Sequence, residues 1–178
     1  MKTNKYLSKA TFLVFAVVLS FAVSAEAQKK KPVTIKKPAK TTTTATNALE
    51  IRAGAEKVSI QLKNVTTFIY KLGGIATGIE DTDKEAKSGR LSKAVLDKNV
   101  QFKQAVIQSI RNLKAGLAAL EVEFRSKPAL KLYLLQIQGV TDLATQSEDL
   151  AAEGRLTDSG KVLITVIEKL ADTLVVMP

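Results

Sequence analysis

The chain has 178 residues, a formal charge of +10, and no Cys, His or Trp. Without His it lacks the commonest general base and the imidazole metal ligand. Without Cys it has no disulfides, thiolate nucleophiles, zinc–thiolate sites, iron–sulfur clusters or lipid anchor on an N-terminal Cys. The length suits one domain of ordinary size.

The charge is unevenly spread. Residues 48–178 hold 18 basic and 16 acidic side chains, so most of the excess lies upstream. Met1 to Lys9 is polar and basic, and Ala10 to Val23 is apolar apart from Thr11 and Ser20. Small residues, Ala25 and Ala27, occupy the −3 and −1 positions of a cut after Ala27. This combination predicts a secretory signal peptide over 1–27. The apolar run is shorter than the ~20 residues that span a bilayer, and no later stretch is long and uncharged enough, so no span is expected in the mature chain.

Residues 28–46 read QKKKPVTIKKPAKTTTTAT. Six lysines, Lys29, Lys30, Lys31, Lys36, Lys37 and Lys40, stand there without an acid. Such a segment buries too little apolar area to offset its ordering entropy, which predicts a disordered basic arm. Lysines without Arg or aromatic neighbours act as point charges, which suits attachment to an anionic envelope surface or polymer and not specific nucleic-acid recognition.

Residues 47–178 read as four helices. Ile51, Ala55, Val58, Leu62, Val65, Ile69, Leu72, Ala76 and Ile79 alternate by four and three, the seam of a coiled-coil-like helix. It spans about 47–72, and because the register passes through Gly73-Gly74 to Ala76 and Ile79, two accounts stand: a kinked helix continuing to 87, or a break followed by a short helix from Ile75. Gly74 and Gly78, one turn apart, suggest a closely approaching neighbour. A second helix over 91–125 carries Leu91, Val95, Phe102, Val106, Ile110, Leu113, Leu117, Leu120 and Phe124. A third over 128–153 carries Leu130, Leu134, Ile137, Val140, Ala144 and Ala151, widened by Leu132, Leu135, Leu143 and Leu150. Gly139 falls mid-helix, where close packing or a bend would explain it, and Gly154 fits a C′ position. A fourth over 158–176 carries Leu163, Ile167, Leu170 and Leu174, capped by Thr157 or Asp158. Short connections make consecutive helices antiparallel neighbours. The expected fold is all-α, an up-down antiparallel four-helix bundle behind the signal peptide and arm, its first two helices longer than the others.

Little catalytic chemistry remains. No Glu-x-x-His pair can form without His, and no P-loop, G-x-S-x-G or G-x-G-x-x-G occurs. Asp81-x-Asp83-x-Glu85 resembles a calcium loop superficially, but Ala86 replaces the sixth-position Gly and Ser92 the twelfth-position Glu. Glu121 and Glu123 sit off the seam of the second helix, and Glu148 sits on the main face of the third between Ala144 and Ala151, where pairing with a Lys is expected. Asn64-Val65-Thr66 fits the glycosylation triplet but falls mid-helix. Of Phe68, Tyr70, Phe102, Phe124 and Tyr133, Tyr70 is the one expected at the surface.

These readings predict an exported, non-enzymatic helical-bundle protein of the bacterial envelope, periplasmic or extracellular, with no cofactor. It would act by binding, through the arm and through a protein partner or self-association. The profile of signal peptide, basic charge and long helices is similar to that of cationic periplasmic holdase chaperones, though no motif is shared. A holdase is therefore the alternative, with a small-ligand carrier behind it. An apolar stripe left exposed on the first two helices would favour the holdase.

Overall fold

The computed structural model describes residues 41–178, with side chains described from residue 44. The signal segment with Ala25 and Ala27, and the arm lysines Lys29, Lys30, Lys31, Lys36, Lys37 and Lys40, lie outside the described residues. Within the described residues the regular structure is helical, without strands: α1 Thr41–Ala86, α2 Lys93–Ser126, a 3-10 turn Lys131–Tyr133, the single-turn α3 Leu134–Ile137, α4 Val140–Ala152 and α5 Leu156–Val176.

α1 runs unbroken through Gly73 and Gly74. Its heptad seam faces the interior on both sides of the glycines, and that burial outweighs their helix cost of ~1 kcal/mol each. It also begins earlier than the composition suggests, because Thr41–Thr46 extends the helix backwards. Adding residues to a formed helix avoids the nucleation cost that a free Thr-rich segment would face. α2 opens on Ser92, whose hydroxyl accepts the Val95 N–H at 3.4 Å.

The expected third helix is two pieces. Gly139 has φ of 89°, and Gln138 leaves the helical region with ψ of 133°. A Cβ at Gly139 would meet nothing within 4 Å, so the residue serves a change of chain direction and not close packing. Leu132 and Leu135, expected on the wide inner face, are instead 80% and 79% exposed. They fall in the 3-10 turn and the single-turn helix, where the helical register that would have aimed them inward is absent. At the far end of α4 the expected Gly154 takes φ of 81°. Its N–H donates to Ala151 O at 3.0 Å and that of Arg155 to Leu150 O at 2.9 Å, a Schellman closure.

α1 packs on α2 and α5, and α4 packs on the same two helices. Cross-helix pairs fix the senses. Lys57 reaches Glu123 while Asp83 reaches Asn99, so α1 and α2 run oppositely. Glu121 bonds to Thr141 while Arg111 bonds to Glu148, and α2 and α4 do likewise. Val58, Val65, Leu117, Phe124, Leu163 and Leu170 anchor the main apolar cluster. Leu72, Ala76, Ile79, Val106, Ile110, Ala151 and Leu156 form a second one.

Candidate functional site

Beyond the second cluster the interior closes with a polar layer. Asn99, 6% exposed, donates to Ile79 O at 3.3 Å and to Asp83 Oδ1 at 2.8 Å. Lys103 Nζ sits 2.9 Å from both Asp83 oxygens. This is the fate of the acidic cluster in the sequence: Asp83 holds a lysine, and Asp81 pairs with Lys84 at 2.8 Å. Among the described residues no group of three potential metal ligands converges.

Beside that layer, between α1 and α2, runs an apolar groove of about 400 Å³. Ile75, Gly78, Ile79 and Thr82 line it from α1, and Val95, Lys98, Asn99 and Phe102 from α2. These positions recur at helical spacing and face each other because the two helices are antiparallel. Ile79 at the floor is buried, while Ile75, Val95 and Phe102 are 45%, 44% and 48% exposed. Val95 and Phe102 belong to the α2 stripe expected to be core, and so correct that expectation. Gly78 leaves the α1 wall low, with nothing within 4 Å of its would-be Cβ. The close neighbour expected at Gly74 and Gly78 is likewise not supplied by the described residues. Lys98 Nζ stands 5.7 Å from the Phe102 ring centroid and puts a cation at the rim.

The signal that could have found this groove is helix length. The α2 stripe continues past the end of α4, and a stripe with no opposing helix must meet water.

Buried Glu121 and half-buried Glu80, Glu123 and Glu148 are all engaged. Glu121 accepts the Gly139 N–H and the Thr141 hydroxyl, and so caps the first turn of α4 from a different helix. Glu80 does the same for α5, accepting Thr157 N–H at 2.7 Å and its hydroxyl at 3.0 Å. The expected caps Thr157 and Asp158 lie inside α5, which starts at Leu156. Glu148 binds Arg111 and Lys114 together. Those two hydrogen bonds hold its carboxyl below the ordinary glutamate range, against the opposing effect of burial. Burial pushes Glu123 upward, but bonds from Lys127 and Lys57 outweigh it and leave the carboxyl depressed. A carboxylate held this way is an anchor and a poor proton shuttle. Tyr70 is 85% exposed and Phe124 fully buried, while Phe68 and Tyr133 pack partly buried against the main cluster.

Comparison with family models, with curated proteins and with solved structures finds no match to this chain.

Proposed function

We propose that this chain is an exported, non-enzymatic binding protein of the bacterial envelope, built as an up-down antiparallel four-helix bundle. Its basic arm attaches to an anionic surface. Its α1–α2 groove takes an apolar segment of a protein partner, with a carboxylate on that segment meeting Lys98. The observation that carries this reading is the groove itself: half-exposed Ile75, Val95 and Phe102 around a buried floor, with one cation at the rim. A half-exposed apolar wall loses ~25 cal/mol per Å² when covered. No described helix is long and apolar enough to cross a membrane, which fits attachment through the arm.

The exposed apolar residues on both long helices also favour the holdase reading, in which the groove shelters unfolded segments without choosing among them. The anionic apolar dye 8-anilinonaphthalene-1-sulfonate tests the groove. The purified protein should enhance its fluorescence, Phe102→Ser should remove most of the enhancement at unchanged helicity, and Lys98→Glu should weaken the dye severalfold. Unchanged dye binding in both variants overturns the groove. Suppressed aggregation of several unrelated denatured proteins, lost in Phe102→Ser, would select the holdase. For the exported form, an intact mass beginning at Gln28 is expected. Removing residues 28–43 should weaken binding to anionic vesicles, since each lysine near such a surface is worth ~1 kcal/mol. Binding that survives 0.5 M salt unchanged would refute an electrostatic arm.

A further inference from the structure

α1 carries a second unpartnered face, on the side away from the core. Thr66, Thr67, Tyr70, Gly74 and Thr77 recur along it, opposite the buried Val65, Leu72, Ala76 and Ile79, and all five are exposed. From Asn64 to Ile79 the only charge is Lys71. Tyr70 is the most exposed large apolar side chain of the described residues. One turn further on, Gly74 has no atom within 4 Å of its would-be Cβ, so a ring-sized step lies next to a protruding ring. Opposite charges bracket the uncharged stretch: Lys63 precedes it and Asp81 follows it, both exposed, at equal separations from Leu72.

We propose that a second copy of this chain docks on this face, α1 against α1, antiparallel, about a two-fold axis near Leu72. The register follows from the charges. Lys63 and Asp81 each lie about 13 Å from Leu72 at 1.5 Å per residue. An antiparallel pair crossing at ~20° with axes 8–10 Å apart brings Lys63 of each copy to Asp81 of the other, at both ends. The same register sets Tyr70 over the step at Gly74 of the second copy, and Thr67 against its Thr77. Lys71, exposed, lies about a quarter-turn round the helix from Tyr70, at the margin of the face and outside the contact. A parallel pair would oppose Lys63 to Lys63 and Tyr70 to Tyr70, with nothing in either step. The contact is isologous and closes on itself. The partner Asp81 has within its own chain is Lys84, in an exposed pair of little worth, so its carboxylate is free to be shared. This surface is distinct from the groove and does not depend on it, although Gly78 borders both.

Sedimentation equilibrium of the purified protein over a range of concentrations, at low salt, tests the proposal. A monomer–dimer equilibrium is expected. Lys63→Glu and Asp81→Lys should each raise the dissociation constant about fivefold or more, and the double variant should return it to the parent value. Tyr70→Ala should leave monomer. All these positions are exposed, so helicity and urea midpoints should stay put, which separates loss of docking from loss of fold. In this Cys-free chain, the double variant T67C/T77C should cross-link into a dimer on oxidation. A monomer at every concentration overturns the proposal, as does a dimer indifferent to Tyr70→Ala. Failure of the charge swap to rescue overturns it too, and so does a cross-link formed by T67C alone, the mark of a parallel pair. None of these outcomes alters dye binding at Phe102, so the two surfaces fail separately.

Discussion

The two halves of α2 share one apolar stripe and meet different fates. From Val106 to Phe124 the stripe is buried except for half-buried Leu113, and Ile110, Leu117 and Phe124 are wholly inaccessible. From Val95 to Phe102 the same period leaves two large apolar side chains nearly half in water. Val95 and Phe102 are apolar choices of the same kind as Val106 and Phe124, and it is the opposing surface that differs for them. α2 has 34 residues and α4 only 13, and α4 ends where Ala151 packs in the cluster of Val106 and Ile110. Beyond that level Asn99, Asp83 and Lys103 terminate the interior with hydrogen bonds and an ion pair. An amphipathic pattern states that a face wants cover; the neighbouring helix decides whether cover arrives.

The sharpest way to break this contrast is truncation on each side of it. Phe124→Ala should cost ~3–5 kcal/mol through lost transfer and a residual cavity, whereas Phe102→Ala should cost less than ~1 kcal/mol. Urea midpoints measure both, and equal losses would mean that the groove end is as closed as the core. Next come the joints that let α4 cover α2. Gly139→Ala places a Cβ at φ of 89° and should cost ~1–2 kcal/mol. Glu121→Ala strands the Gly139 N–H and the Thr141 hydroxyl and should cost ~1–3 kcal/mol. Differential hydrogen exchange should rise in α4 and the facing half of α2 and not at Val95 to Phe102.

Acid sharpens the same division. The folded carboxyls of Glu123 and Glu148 titrate below their unfolded value of ~4.3, so the unfolded chain binds more protons in that range. Their contribution is therefore present above about pH 4.3 and is lost as pH falls through the folded pKa values. Thermal melts from pH 6 to pH 2.5 should show a falling midpoint, and Glu148→Gln should flatten part of that slope. The smallest expected effect is a gain. Gly73 lies in an exposed helix interior with open space around it, so Gly73→Ala should stabilise by ~0.5–1 kcal/mol. A loss there would show that the helix needs the glycine.

The groove and the joints differ in how far the sequence exposes them. Val95 and Phe102 can be placed on a face from the period alone, and unequal helix lengths hint that the face is incompletely covered. Nothing local marks Glu121 or Glu80 as caps, because each serves a helix remote from its own along the chain. Ser92, by contrast, caps its own helix three residues on, and Gly154 closes its own helix by taking a positive φ. Local hydrogen bonds leave local residue signatures; remote ones do not.

The all-helical character of the described residues, the seams of α1 and α2 and the Gly154 terminus were therefore decided by the sequence itself, since side-chain period and glycine conformational freedom act within a few residues. Tertiary structure alone decided that Gly139 makes a bend and not a close packing contact, that Leu132 and Leu135 face water, and that Glu121 and Glu80 cap other helices. It also decided which part of a uniform stripe became core and which became groove. Each of these depends on where another helix ends, and the free energy of burial is set by the surface that arrives opposite rather than by the residue that waits for it.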